Sequence, residues 1–380
     1  MPIDPSRPLP AEAEAVVAFY VRPVPGWLCA IPGEVDLATF QDAARGAILW
    51  AAVGDAIGCV NEGRGREQIL DCWGPGGLDR YARYDHRARP NGPIGTWTDD
   101  TQLTIVLAET YLATGGVLDP EDLARRMVEW LGFARGIGKA TAAAVHDLAS
   151  GTPWWKTGPG VDSAGNGAAM RVTPIAIRHA LDADPSALVR DAVVSALPTH
   201  GHPAGVAGAV IMALLTAEAI RHVLADLPFP MGALLDRAAT VADALIPQPY
   251  GLRSRKESVA TLGDELRTVA SYAAGDPDRA FSHFYSGAFI LETLPSTLVC
   301  VARTPGDPVT AVVLGANAGH DTDTIAAMTG SILGAYHGAE LLHDLRRDWW
   351  DELEGRDRLI GLADGLVDLA VGADPSSRRR

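Results

Sequence analysis

The chain is short of several things, and each shortage excludes something. Its 380 residues include four cysteines, Cys29, Cys59, Cys72 and Cys300. No two form a C-x-x-C pair and none stands near a histidine at zinc-finger spacing, so they read as free thiols in a reducing compartment. Basic residues are outnumbered, with 32 Lys and Arg against 47 Asp and Glu, for a net charge of −15. That balance excludes a sequence-independent nucleic-acid binder, which needs a basic footprint. The start of the chain has no basic segment followed by an apolar one, so no secretory signal is expected. No apolar run is expected to reach the roughly 18 charge-poor residues of a membrane span. The cytoplasm is the expected location, with no membrane partner. Few stretches alternate apolar and polar residues with β-branched enrichment, so no sheet is expected.

What the sequence does have is a composition that can bury a large core, 47% hydrophobic and 21% charged. Residues 1–38 differ from the rest. Pro2, Pro5, Pro8, Pro10, Pro23, Pro25 and Pro32 punctuate them, with one short helix expected near Ala11 to Tyr20. Phe19, Tyr20, Trp27 and Leu28 give this extension something to dock with, against the helical domain near the cleft mouth or against a protein partner. From residue 39 to 372 the expected fold is all-α and single-domain, with residues 373–380 as a solvated tail. Helices are expected over Leu37–Ala56, with Asp36 as cap, and from Thr98, Pro120, Ile137, Thr173, Pro185, Pro203, Pro230 and Ser258. Further helices are expected over Ala280–Val301, Pro308–Ala316, Asp323–Arg346 and Asp357–Val371. Glycine and alanine crowd one face of two of them, at Gly205, Gly208, Ala209 and Ala213, and at Ala327, Gly330, Gly334, Ala335 and Gly338. Glycine costs a helix interior about 1 kcal/mol relative to alanine, and close approach of two backbones is the compensating gain.

The chemistry is concentrated at two helix starts. Thr98-Asp99-Asp100-Thr101 follows a Pro/Gly-rich loop and opens the apolar run Leu103 to Leu112. Thr98 is a good N-cap and Asp is favoured in a first turn, which suffices for one such pair. A second cluster, His320-Asp321-Thr322-Asp323-Thr324, also follows a glycine loop and opens an apolar run. If the two starts converge, about four carboxylates and threonine hydroxyls meet, enough to balance two divalent cations of the oxygen-seeking kind.

Other motifs are weaker one by one. Gly54-Asp55-Ala56-Ile57-Gly58 puts a carboxylate on an apolar helix face, where an Asp bonded to nearby backbone is the plainer reading. Glu62 alone resembles any surface-loop acid. Ser163-Ala164-Gly165-Asn166-Gly167-Ala168-Ala169-Met170-Arg171 and Arg135-Gly136-Ile137-Gly138-Lys139-Ala140-Thr141 are glycine loops feeding helices, which can present N–H groups to anions or serve as plain turns. In Thr199-His200-Gly201-His202-Pro203 the i, i+2 spacing does not place both histidines on one helix face, so they are not read as zinc ligands.

Taken in order, these motifs resemble the ADP-ribosylglycohydrolase family, which includes dinitrogenase-reductase-activating glycohydrolase. The matching stretches are G-D-A-I-G with Glu62 seven residues after Asp55, T-D-D-T, R-G-I-G-K-A-T, G-N-G-A-A-M-R, T-H-G-H-P, F-I-L-E-T-L and G-H-D-T-D-T-I-A-A-M-T-G. The resemblance implies an all-α fold around two Mg²⁺ or Mn²⁺ ions, held by Thr98, Asp99, Asp100, Asp321, Asp323 and Thr324. It implies Glu62 in catalysis or gating, with Glu62, Asp99 and Asp321 as alternative proton acceptors. It implies substrate contacts at Gly136, Ile137, Gly138, Ser163, Gly165, Asn166, Gly167, Met170 and Arg171, with His200 near the adenosine half. His320 departs from the family, which often has a second glycine there, and its side chain is expected beside the metals. Residues 1–38 have no counterpart in the minimal family domain.

The implied activity is hydrolysis of the C1″ glycosidic bond of ADP-ribose on a modified acceptor, most readily arginine on a protein. Serine, a nucleic-acid base and small molecules stay open as acceptors. Two alternatives stand beside it. One is an immunity protein that neutralises a toxin ADP-ribosyltransferase by hydrolysis or by covering it with residues 1–38. The other is a catalytically silent ADP-ribose binder, against which the intact acids argue.

Overall fold

A computed structural model describes residues 8–31, 33–83, 93–158, 164–245 and 261–373. Among them the chain is helical, and its one extended pairing is an isolated bridge between Gly165 and Phe289. The first half runs α1 (Ala11–Tyr20), α2 (Leu37–Gly58), α3 (Arg66–Trp73), α4 (Asp99–Ala113), α5 (Pro120–Trp130), α6 (Lys139–Ala149), α7 (Thr173–His179) and α8 (Ser186–Ala196). The second runs α9 (Pro203–Leu224), α10 (Met231–Leu245), α11 (Leu262–Ala273), α12 (Pro277–Phe284), α13 (Ile290–Arg303), α14 (Pro308–Ala316), α15 (Thr322–Leu345), α16 (Arg347–Glu352) and α17 (Arg356–Ala373).

Two helices form the axis. Helix α2 lies against α15 with backbones in contact: a Cβ on Gly46 would stand 2.2 Å from the Gly334 carbonyl oxygen, and one on Gly54 would stand 2.3 Å from that of Ala326. The glycine stripe expected on the second helix is therefore this seam. Helix α2 also caps other helices from the side. Chain geometry breaks α15 at Gly338, which takes φ +80. The Asp42 carboxylate then accepts from the N–H groups of Ala339 and Glu340, both at 2.9 Å, and restarts the helix.

Three expectations change in the structure. The single helix expected over Ala280–Val301 is two, α12 and α13, because the backbone between them is diverted to other partners. Asn166 N–H bonds the Ala288 carbonyl at 3.0 Å, Ile290 N–H the Ala164 carbonyl at 2.8 Å, and Asp321 N–H the Ser286 carbonyl at 3.0 Å. The expectation of no membrane-length apolar run is also corrected: α9 is long and apolar enough by composition. Its apolar window is 94% buried in the protein, so it is a core helix. Finally, Thr98 does not cap α4 with its own side chain; that task belongs to Asp55, described below.

The N-terminal extension is laid over α8, α9 and α10. Ala13 and Val17 are buried. Arg190 pairs with Glu14 at 2.7 Å, and the Trp27 indole N–H bonds the Asp182 carbonyl at 2.9 Å. Leu28 N–H donates to Glu218 at 2.9 Å, while Arg221 bonds the Cys29 carbonyl at 3.0 Å and lies over the Trp27 ring. One bond reaches the loop before α9: the Tyr20 hydroxyl donates to the Gly201 carbonyl at 2.6 Å. The tail from residue 374 lies outside the described residues.

Candidate active site

Asp55 sits in the last turn of α2 and is fully buried. Its carboxylate accepts four hydrogen bonds from the start of α4: from Thr98 N–H (2.8 Å) and Oγ1 (2.7 Å), and from Thr101 N–H (3.0 Å) and Oγ1 (2.6 Å). It is a cap borrowed from another helix. All its partners donate, so the ionised form fits, although burial pushes its pKa up. The consequence is that Asp99 and Asp100 are held at fixed angles without using their own side chains.

The second acidic start reaches the first across the seam. Thr322 Oγ1 donates to the Gly58 carbonyl at 2.8 Å, tying α15 to the end of α2. The Thr324 hydroxyl then stands 3.5 Å from Asp100 Oδ2. Carboxylate oxygens of Glu62, Asp321 and Asp323 lie within 4.8 Å of one another. The convergence expected from the sequence is thus present.

Asp99, Asp100, Asp321 and Asp323 are all raised above the usual carboxylate range, first by burial and then by a neighbouring acid: Asp323 for Asp99, Asp55 for Asp100, Glu62 for Asp321 and Asp321 for Asp323. Asp321 reaches about 6. Glu62, on the lip with an exposed face, is pushed up to about 8 by Asp323 and by partial burial. Two buried oxygens, Asp100 Oδ1 and Asp323 Oδ1, have no hydrogen-bond partner. Buried carboxylate oxygens are normally satisfied. Crowded acids with orphaned oxygens fit hard divalent cations, which take carboxylate and hydroxyl ligands.

These acids form one end of a cavity of about 430 Å³. Gly136, Gly138, Lys139, Thr141, Gly165, Asn166, Gly167, Met170, His200 and Phe289 line the rest. The loop at Gly136 (φ +71) passes so close that a Cβ there would stand 3.2 Å from Asp99 Oδ1. Gln102, on α4, holds this loop: its amide donates to the Phe133 carbonyl at 3.0 Å and accepts from Arg135 N–H at 2.9 Å. Asn166 lines the cavity but also donates to Asp321 Oδ2 and, at 2.8 Å, to Thr293 Oγ1, so it positions an acid as well.

His200 is buried at the far end. Arg171 donates to Thr199 Oγ1 at 2.8 Å, and that hydroxyl stands 2.8 Å from His200 Nδ1. The ring's Nε2 faces Gly165 and Gly167. Burial and then the Arg171 charge push His200 down to about 3, so it is neutral. A Cβ on Gly167 would stand 2.7 Å from the ring.

Two expected substrate contacts fall elsewhere. Arg171 does not line the cavity: its guanidinium lies beneath the loop, bonded to the Gly167 and Ser195 carbonyls at 3.0 and 2.6 Å. Ile137 packs against the hydrophobic core and anchors its loop. Ser163 lies outside the described residues. His320 turns away from the acids and stacks on Tyr285 at 4.2 Å, 19° between planes. Its φ of +58 is one that glycine adopts without strain. The structure adds Lys139, Thr141 and Phe289 to the wall; all lie within motifs noted above, but their side-chain direction needed the fold.

A family model described as ADP-ribosylglycohydrolase matches residues 36–376. An ADP-ribosylarginine hydrolase Tri1 of Serratia proteamaculans is 27% identical, over 98% of this chain and 91% of the relative. That span takes in the N-terminal extension, which the family model omits. ADP-ribosylhydrolase ARH3 of Xenopus tropicalis is 30% identical, over 78% of this chain and 87% of the relative. A solved structure titled ADP-ribosylglycohydrolase-related protein complex aligns at a TM-score of 0.60 and 26% identity, covering 88% of this chain and 99% of its own. A match to the family model over nearly all the globular part, on a fold that gathers the motifs at one cavity, makes the chain a glycohydrolase of the ADP-ribosylglycohydrolase family.

Proposed function

We propose that this protein hydrolyses the N-glycosidic bond between C1″ of ADP-ribose and a modified arginine, with two Mg²⁺ or Mn²⁺ ions at its acidic end. The observation that carries the reading is the convergence of Asp99, Asp100, Asp321 and Asp323, with two orphaned oxygens, at one end of a cavity that also holds a neutral histidine and an aromatic ring. Arginine is chosen as acceptor because the Tri1 relatives from Serratia proteamaculans and Pseudomonas putida are both named ADP-ribosylarginine hydrolases.

Thr98, Asp99, Asp100, Asp321, Asp323 and Thr324 would hold the ions. When bound, such ions supply positive charge that polarises sugar hydroxyls and makes a water a better nucleophile. The protein's own residues do the rest. Asp55 and Asn166 fix the acids. Gly165, Gly167 and Gly136 leave room for phosphate and ribose to approach backbone, with Lys139 as the nearby cation. Phe289 offers a face for the base, and His200 presents its neutral ring, Nε2 first. Glu62 is the acid on the lip and remains available to move a proton, because Asp99 and Asp321 are committed as ligands. As the C1″–N bond breaks and the C1″–O bond to water forms, the water's proton passes through Glu62 to the leaving guanidine; charge at C1″ develops as in other glycoside hydrolysis. The same reaction would reverse a modification made by a toxin ADP-ribosyltransferase, so the partner this reading requires is that enzyme's product.

The test is ADP-ribose release from arginine-, serine- and DNA-linked substrates, with and without Mg²⁺. Release from arginine that stops in chelator and in Asp321→Ala is expected. Equal release in chelator would sink the metal assignment, and cleavage of only serine- or base-linked substrates would sink the acceptor.

A further inference from the structure

A second cavity, about 680 Å³, adjoins the acidic end of the first. Three segments line both. Glu62 faces the first cavity and Arg66 the second; Phe289 faces the first and Tyr285 the second; Asp321 faces the first and His320 the second. The segments are tied to each other by backbone bonds from Gly63 N–H to the His320 carbonyl and from His320 N–H to the Arg64 carbonyl, both 2.7 Å. Between the two cavities there is therefore one partition, a single layer of chain thick.

The position matters for the reaction. ADP-ribose would extend from the acids toward His200, so the acceptor has to leave past the lip at Glu62, where this partition stands. The second cavity is where it arrives. On its wall the Tyr285 and His320 rings stack as a platform. Both residues and Ser286, next to Tyr285, take positive φ, and they are three of the four non-glycine residues that do so among those described. Glu67, Asp71 and Asp278 rim the platform. The cation there, Arg66, is engaged by Asp278 at 2.5 Å and by the Asn317 carbonyl at 2.6 Å. Three carboxylates against one engaged guanidinium, around an aromatic face, suit a second cation, which an aromatic platform also attracts.

We propose that this cavity is the acceptor-side subsite: it receives the peptide flanking the modified residue and favours a basic side chain there. The proposal rests on the arginine-acceptor reading above and sharpens it to protein-borne sites in basic surroundings.

The test compares kcat/KM on synthetic peptides carrying ADP-ribosyl-arginine flanked by lysine or by glutamate. Free ADP-ribosyl-arginine serves as the reference. Wild type is expected to prefer the basic peptide at least fivefold, and the preference should shrink with added salt. Glu67→Gln/Asp71→Asn, two exposed positions on α3, should erase the preference while the free amino-acid substrate changes less than twofold. Glu67→Lys/Asp71→Lys should invert it. Equal rates on the two peptides in wild type, or an unchanged preference in the double variants, overturns the subsite. No cleavage of even free ADP-ribosyl-arginine is a separate result, which removes the underlying reading and the subsite with it.

Discussion

The Asp55 carboxylate grips the start of another helix through Thr98, taking its N–H at 2.8 Å and its hydroxyl at 2.7 Å on one oxygen. With Thr101 on the other oxygen, one buried side chain satisfies donors that a helix start leaves open. Asp55→Asn keeps the shape but turns an amide toward at least one donor. It should cost about 2 kcal/mol of stability through that unpaired group, and about 10–100-fold in Mg²⁺ affinity, the usual range for groups that orient ligands. Denaturant unfolding and calorimetric Mg²⁺ titration measure the two. A variant that binds Mg²⁺ like wild type would show that Asp55 only caps.

Crowding of acids should make the metal-free protein less stable than its core permits. Asp323→Asn removes one buried charge, and its thermal midpoint in chelator should rise by about 2 °C or more. Mg²⁺ should stabilise wild type and leave this variant almost unmoved. Both readouts are independent of activity, and a variant that melts lower in chelator contradicts the account.

A buried histidine between two half-buried carboxylates, outside the cavity lining, sets a pH dependence. His179 Nδ1 and Nε2 stand 2.6 and 2.8 Å from Asp182 and Asp191. Burial would lower its pKa, but the two carboxylates outweigh that and hold it at about 9, above the ordinary 6.5. The folded state therefore binds this proton more tightly than the unfolded one. Its contribution is complete below pH 6.5 and is lost as pH rises toward 9, amounting to about 3 kcal/mol at 1.36 kcal/mol per unit. Urea unfolding at pH 6 and pH 9.5 should show the loss in wild type, and His179→Gln should flatten the curve.

The N-terminal extension should matter for ligand binding through one bond. Tyr20→Phe removes the donor to the Gly201 carbonyl, beside His200. A loss of about 1 kcal/mol in stability is expected, together with a few-fold weaker ADP-ribose affinity and unchanged Mg²⁺ affinity. Deleting residues 1–31 should cost far more stability, since it uncovers the buried Glu218, Arg221 and Arg237. If neither change moves ADP-ribose binding, the extension is structural alone.

The acids were readable because their chemistry is local: Asp and Thr pairs after glycine loops stand out whatever the fold. The α9 core helix and the glycine seam were readable for a similar reason, as composition along one face. Long-range roles were not. Asp55 looked like a local backbone partner because its four donors come from residues 43 and 46 positions away. Arg171 looked like a ligand contact because its motif feeds the site, yet its partners, Ser195 and Thr199, belong to another helix end. The break between α12 and α13 has a local mark, Ser286-Gly287, which is weak by itself, and the partners that hold it open, Ala164, Asn166 and Asp321, are remote in sequence.

The contact between α2 and α15 has one more consequence. With Gly46 against Gly334 and Gly54 against Ala326, neither helix can slide or tilt without a backbone collision. Asp321 and Asp323 open one of these rods, and Asp55 on the other grips the helix start that carries Asp99 and Asp100, so the spacing of the acids is rigid. Divergence toward new acceptors is therefore confined to residues off the two rods, above all those that face the second cavity, such as Arg66, Tyr285 and His320. Those can be rewritten a residue at a time while the hydrolytic machinery stays in register.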